Sequence, residues 1–335
     1  MLTIICDEPG KLRAIEREPP VRADGEVLIR LSRIGVCGTD LHIFGGNQPY
    51  LSYPRVMGHE LAGLVEEASV GSSLAPGDTV CIIPYISCGH CNACVRGKTN
   101  CCRNIGVLGV HRDGGMTEYL SLPEEFVVKA DGLSADQAAM VEFLAIGAHA
   151  VARARIEPGQ KVLITGAGPI GLAVALFARL DGGEVTLLDG RTDRLSFARE
   201  QLGFGSTVQL GADDEEQLSA VTSGDFFDVV FDATGSPKAI ERGFAFVAHG
   251  GTYVLVSIVS SDIRFSDPEF HKRETTLLGS RNATRSDFER VMAAMRDGKI
   301  PASLITHRMT LADVPERFAQ LTEPSAGVVK ALIEV

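Results

Sequence analysis

At 335 residues with 45% hydrophobic content, the chain has the length of about two domains and enough apolar material for two cores. Its 43 acidic side chains outnumber 32 basic ones, for a formal net charge of −11, and no Lys/Arg-rich run occurs. That balance argues against nucleic acid and anionic membrane as partners and for a small-molecule substrate.

The first eleven residues are interrupted by Asp7 and Glu8 and carry no basic-then-apolar signal, so the expected location is the cytoplasm. Residues 2–33 alternate in short stretches such as 26–31, separated by Pro-Pro and Asp-Gly, which predicts an antiparallel β region. Further strands are predicted at 61–65 and 79–83, with Pro76-Gly77-Asp78 as the turn between them. Within this β body, the stretch 35–60 holds Cys37, His59 and Glu60. A thiolate, an imidazole and a carboxylate form a donor set suited to zinc with a position left open for chemistry.

Eight cysteines in a cytoplasmic chain point to metal or packing rather than disulfides, and five of them fall between Cys88 and Cys102. Cys88, Cys91 and Cys94, followed by Cys101 and Cys102, fit a closed four-thiolate zinc site. An iron–sulfur cluster would need a closer last spacing and a following proline. Spacing alone does not choose between Cys101 and Cys102. The polar lobe around them has too few apolar residues for its own core, so the metal's role is structural.

Ser134-Ala-Asp-Gln137 is a capping box that opens a helix to about Ala154. Glu142 lies in it among apolar neighbours, where a carboxylate needs a partner, and zinc is a candidate. His149 reads as a core or interface histidine. The uncharged window 162–178 is too short for a membrane span and contains Pro169 and three glycines. It resolves instead into a buried strand at 161–165, the turn Gly166-Ala-Gly168-Pro169-Ile170-Gly171 and an apolar helix to Leu180. A second strand ends in Asp189, placed to hold the ribose hydroxyls of NAD. Asp189 would repel the 2′-phosphate of NADP, although Arg191 and Arg194 stand nearby.

Strands near 205–209, 228–231, 252–257 and 275–279 alternate with helices, which predicts a doubly wound parallel sheet. Its carboxyl ends would bring Thr234 and Ser257 to the cofactor. The edges 252–257 and 275–279 suggest sheet-to-sheet dimerisation. From Ser286 a helix, a β stretch at 303–310 and a second helix to Leu321 return to the first domain.

With these patterns in place, the whole chain resembles the zinc-dependent medium-chain alcohol/polyol dehydrogenases. The motifs at 45–60, 109–120 and 265–284 look closest to the L-galactonate 5-dehydrogenase-type branch, with sorbitol and threonine dehydrogenases more distant. The resemblance implies a GroES-like catalytic domain over 1–150, completed by 286–335, and a Rossmann NAD-binding domain over 151–285. It implies Cys37 and His59 as catalytic-zinc ligands, with Glu60 and Glu142 ligating or exchanging with water. Cys88, Cys91, Cys94 and Cys102 would hold the structural zinc. Asp40 would orient His59, and Thr39 and His42 would relay the substrate proton to solvent. Phe143 stands where the family commonly has proline, which bears on the direction of Glu142 and suggests a narrowed substrate pocket. An aldonate substrate would need a cation, for which Arg281, Arg112 and His111 are candidates. A homodimer or homotetramer is implied.

Overall fold

The computed structural model describes residues 1–48 and 51–335 and divides into two compact units, Met1–Phe143 with Thr284–Val335, and Leu144–Ala283. Pro49 and Tyr50, inside the 45–60 motif, lie outside the described residues.

Unit one opens with the antiparallel hairpin β1 (Leu2–Glu8) and β2 (Lys11–Glu16), then β3 (Glu26–Val36), helix α1 (Gly38–Phe44), β4 (Glu60–Glu67) and β5 (Thr79–Ile82). The small lobe follows with β6 (Tyr85–Ile86), the one-turn helix α2 (Asn92–Val95) and β7 (Gly106–Val107), and the chain continues through β8 (Tyr119–Pro123) and β9 (Val127–Lys129). The helix α3 (Ala135–Ala154) is then opened by the Ser134 box: Ser134 Oγ accepts from Gln137 N at 3.2 Å, and Gln137 Oε1 accepts from Ser134 N at 2.9 Å.

Unit two runs β10 (Lys161–Thr165), α4 (Pro169–Leu180), β11 (Glu184–Asp189), α5 (Thr192–Leu202), β12 (Ser206–Gln209) and α6 (Asp214–Val221). Its second half is β13 (Phe227–Asp232), α7 (Pro237–Gly243), β14 (Val247–Leu255), α8 (Asp267–Lys272) and β15 (Thr276–Gly279). All six strands are parallel in the order β12-β11-β10-β13-β14-β15. The order reverses between β10 and β13, which makes their carboxyl ends the switch point where such sheets bind ligands. A central parallel strand is covered on both faces, which explains the unbroken apolar run Val162-Leu163-Ile164, all buried. The uncharged window is finished by α4, buried from Gly171 through Ala178, and among the described residues no helix is long and apolar enough to cross a membrane.

The chain returns to unit one with α9 (Arg285–Arg296), β16 (Ile305–Thr310), α10 (Val314–Arg317) and β17 (Lys330–Glu334). The seven-stranded sheet of this unit is ordered β16-β17-β3-β4-β5-β9, with β8 also paired to β3. Eleven-residue β3 is its axis, antiparallel to β4, β8 and β17, and packs Val27, Ile29, Leu31, Ile34 and Val36 into the core. Burying each such side chain stabilises the unit by about 1.5–3 kcal/mol.

Three expectations change. The stretch 252–257 is no edge, because β14 pairs with both β13 and β15, leaving β15 at that side of the sheet. The second helix to Leu321 is the short α10 continued as 3-10 turns over Phe318–Thr322, with Pro315 in its first turn. The final strand β17 was not predicted, and it carries Lys330 into the site described next.

Candidate active site

The β3–α1 corner sets Cys37 at the N-cap of α1, and Asp40, three residues on and wholly buried, ties the corner together. One Asp40 oxygen accepts from Cys37 N at 2.9 Å and the other from Gly58 N at 3.1 Å, so a single carboxylate fixes the backbones leading to Cys37 and His59. Gly58 has φ +92°, a left-handed conformation that turns the chain just before His59 and the first residue of β4, Glu60. Opposite Glu60 in the β3–β4 register stands Gly35, where a Cβ would lie 2.0 Å from Glu60 Oε2. Only glycine leaves room for that carboxylate.

The donor atoms of Cys37, His59 and Glu60 lie within 4.8 Å of one another. His59 Nδ1 is buried and has no hydrogen-bond partner among the described residues. A cysteine, a histidine and a glutamate whose donor atoms converge in this way form a donor set that suits zinc. Burial opposes charge on His59, but Asp40, Cys37 and Glu142 outweigh it and hold its pKa well above the usual imidazole range. Asp40 Oδ1 is 3.8 Å from His59 Nδ1, beyond hydrogen-bonding reach. Asp40 thus faces the ring electrostatically while its hydrogen bonds hold the backbone on either side.

Two further residues complete the cluster. Lys330 Nζ donates to both Glu60 oxygens, at 2.6 and 2.7 Å, and to Val36 O at 3.2 Å, with the lysine side chain 1% exposed and the glutamate 0%. Its ammonium sits 4.2 Å above the Phe143 ring centroid. Burial disfavours the charge, yet Glu60 and Cys37 keep the Lys330 pKa above its ordinary value. Glu142 accepts from the Tyr85 hydroxyl. Burial pushes the Glu142 carboxyl up to about 7, against the opposing pull of His59. Glu142 stands outside the three-donor group. Phe143 is fully buried beneath Lys330, so its ring is a cation–π platform rather than the expected narrowing of a substrate pocket.

In the lobe, Cys88, Cys91, Cys94 and Cys102 converge to within 4.8 Å. Cys102 is buried and accepts from Cys88 N and Asn104 N at 3.3 and 3.4 Å, whereas Cys101 is exposed. The choice that spacing left open falls on Cys102. Backbone N–H groups of Arg103 and Cys94 lower the Cys91 thiol to about 6, while burial lifts Cys94 to about 11.

In unit two, Gly166 has φ +95°, and a Cβ there would lie 2.9 Å from Ala233 O. A Cβ on Gly171 would lie 1.7 Å from Gly166 O. Gly168 caps α4 and Pro169 begins it. Asp189 ends β11, accepting from Ala167 N at 2.7 Å and Arg191 N at 2.8 Å, with Arg194 Nη1 at 3.6 Å. A tight turn, a helix N-terminus and a carboxylate at the next strand end fit a dinucleotide.

Residues 23–132 match the alcohol dehydrogenase GroES-like domain family, and residues 169–297 the zinc-binding dehydrogenase family. The chain is 43% identical to the L-galactonate-5-dehydrogenase of Escherichia coli (strain K12), an alignment covering 99% of this chain and 98% of that relative. The chain belongs to the zinc-dependent medium-chain alcohol/polyol dehydrogenases. Its fold matches, with a TM-score of 0.93 and 29% identity, a short chain alcohol dehydrogenase (rspB) of Escherichia coli CFT073 complexed with cofactor NADH, covering 100% of this chain and 99% of that one. A zinc-binding dehydrogenase of Sinorhizobium meliloti 1021 bound to NADP matches with a TM-score of 0.91 and 28% identity, at 100% and 99% coverage.

As a dehydrogenase of this family, the chain acts on CH–OH groups. Thr39 is half-buried and His42 exposed, one turn apart on α1. His111 and Arg112 fold onto the turn after β7, where His111 Nδ1 accepts from Val107 N at 3.2 Å and Arg112 covers Gly106. Arg281 is exposed in unit two. Thr234 and Ser257 do come to the switch point, but their hydroxyls are engaged by Asp232. Lys330, Tyr85 and Asp232 also belong to these sites, although no sequence pattern singled them out. A buried lysine in a strand of otherwise apolar residues, Lys330-Ala-Leu-Ile, was the one available signal for the first.

Proposed function

We propose that this dehydrogenase oxidises a secondary alcohol of a sugar acid, an L-galactonate-like aldonate, with NAD as hydride acceptor. The observation that carries the reading is the convergence of Cys37, His59 and Glu60 in a charge-rich, buried centre, supported by the 43% identity to a sugar-acid dehydrogenase over nearly the whole chain. Cys37, His59 and either Glu60 or Glu142 would hold a catalytic zinc, and Cys88, Cys91, Cys94 and Cys102 a structural one.

When bound, the catalytic zinc lowers the pKa of an alcohol oxygen, much as it can bring water from about 15.7 to roughly 7. The chain supplies the rest. Thr39 accepts the hydroxyl proton and passes it to His42, whose exposure on α1 opens the relay to solvent. Asp40 keeps the Cys37 and His59 backbones in place, and Lys330 neutralises Glu60 so that two carboxylates can coexist in the interior. Unit one is the catalytic, GroES-like domain, and unit two binds the dinucleotide through Gly166, Gly168, Pro169, Ile170 and Gly171, with Asp189 on the ribose and Arg194 beside it. Asp189, a buried carboxylate at the end of β11, favours NAD over NADP. The β15 edge supports a homodimer or homotetramer, and the cytoplasm is the proposed location.

A neutral polyol, as in sorbitol-type enzymes, or L-threonine is the second reading. Purified chain assayed with NAD against L-galactonate, other hexonates, sorbitol and L-threonine separates them. A higher kcat/KM for a hexonate supports the proposal, and a higher value for sorbitol or threonine overturns it. Arg281→Ala tests the cation assignment: it should weaken an acid substrate far more than a neutral one, and equal effects would remove Arg281 from the site.

A further inference from the structure

Asp232 ends β13 at the switch point with 0% exposure, and among the described residues no cation pairs with it. A bare buried carboxylate is costly, so its charge must be met by hydrogen bonds. Four donors serve it. Thr165 Oγ1, from the end of β10, lies 2.9 Å from Oδ2; Thr234 N and Thr234 Oγ1 lie 3.1 and 3.0 Å from Oδ1; and Ser257 Oγ, after β14, lies 3.0 Å from Oδ1. One carboxylate thus links the ends of three neighbouring strands.

The hydroxyl protons of Thr234 and Ser257 point at Asp232, so their lone pairs face the other way. Those lone pairs take the next backbone donors: Ser257 Oγ accepts from Gly235 N at 3.0 Å and Thr234 Oγ1 from Ser236 N at 3.1 Å. Ala233 N donates to Thr165 O at 2.9 Å. Four consecutive N–H groups, from Ala233 to Ser236, are therefore turned inward. With these N–H groups engaged, the backbone of residues 233–235 has only carbonyl oxygens left to offer a ligand, which suit hydroxyl or amide donors and not phosphate. Its Ala233–Thr234 backbone also lies against Gly166, where a Cβ would come within 2.9 Å of Ala233 O and 3.2 Å of Thr234 N.

We infer that Asp232 is a positioning residue for the dinucleotide: through Thr234 and Ser257 it fixes an acceptor-lined loop against the glycine turn, for the ribose hydroxyls or carboxamide of the cofactor. This rests on the proposal that unit two binds NAD. The role is one of hydrogen-bond geometry rather than charge. In Asp232→Asn the amide oxygen can replace Oδ1, and the NH2 can face Thr165 Oγ1, whose proton has Phe231 O at 3.1 Å as an alternative.

The test titrates NADH into the zinc-loaded wild type and the variants Asp232→Asn, Asp232→Ala, Thr234→Val and Ser257→Ala, following nicotinamide fluorescence, with zinc content and melting temperature measured alongside. Losing the buried bonds should raise the NADH Kd about fivefold or more in Thr234→Val and Ser257→Ala, and about tenfold or more in Asp232→Ala. Asp232→Asn should stay within about threefold of wild type. The KM for NAD should rise while kcat at saturating NAD holds. Thr234→Val and Ser257→Ala carry the test even if Asp232→Ala does not fold. A merely structural Asp232 would lower the melting temperature and leave the Kd of the folded variants within twofold of wild type, which overturns the inference. Failure of the wild type itself to bind NADH would instead overturn the dinucleotide reading.

Discussion

Replacing Lys330 by methionine removes a cation from a pair whose side chains are 1% and 0% exposed, and leaves Glu60 without the donor that serves both its oxygens. Breaking one side of a buried ion pair costs about 3–5 kcal/mol, because the remaining charge is uncompensated. Lys330 also donates to Val36 O, so a carbonyl loses its partner at the same time. For a unit of roughly 200 residues each kcal/mol moves the midpoint by about 2–4 °C, which places the expected loss for Lys330→Met at about 6–20 °C. Differential scanning calorimetry of the zinc-free chain reads it directly. Lys330→Met/Glu60→Gln, which removes both charges, should recover at least half of that loss, and the double-mutant cycle gives the coupling. A drop of less than about 1 kcal/mol in Lys330→Met, or a double variant no better than the single one, would refute the reasoning.

Cys102→Ser should cost one zinc per chain by metal analysis, while Cys101→Ser, at an exposed position, should leave zinc content unchanged. Asp189→Gly removes the carboxylate that would repel a 2′-phosphate; the ratio of kcat/KM for NADP to that for NAD should rise at least about tenfold, and an unchanged ratio would take Asp189 off the ribose. Asp136, on α3, is held below its ordinary pKa by hydrogen bonds from Arg308 and from Arg33, the latter at 2.8 Å. A depressed folded-state pKa stabilises above the unfolded value near 3.9 and is lost as pH falls through the folded value. Asp136→Asn should therefore destabilise the chain near neutrality, by about 1 kcal/mol after solvent screening, and have less effect near pH 3 in denaturant titrations.

Unit two was legible because its signals are local. A buried strand, a Gly166–Gly171 turn and an apolar helix follow one another within twenty residues, and the strand ending in Asp189 comes next. The cysteine lobe was legible for the same reason, except at Cys101 and Cys102, where burial and backbone N–H donors make a choice that spacing cannot. What escaped the sequence is long-range. Lys330 meets Glu60 across 270 positions and Tyr85 meets Glu142 across 57, and each pairing depends on sheet register and burial. The Asp40–His59 pairing is present at 3.8 Å as an electrostatic contact rather than a hydrogen bond, because the N–H groups of Cys37 and Gly58 take the Asp40 oxygens. Phe143 read as a pocket residue because a bulky ring stands where the family commonly has proline, whereas that ring lies under an ammonium from the last strand.

The central claim is that Cys37 and His59 support NAD-linked oxidation of a sugar acid. The most direct measurement is the initial rate of NADH formation from L-galactonate and NAD by the zinc-loaded wild type, set beside Cys37→Ser and His59→Ala at equal protein concentration. The wild type should produce NADH steadily and both variants should lose at least about a hundredfold, with NADH binding retained. NADH production unchanged in either variant, or absent from the wild type across the hexonates, would contradict it.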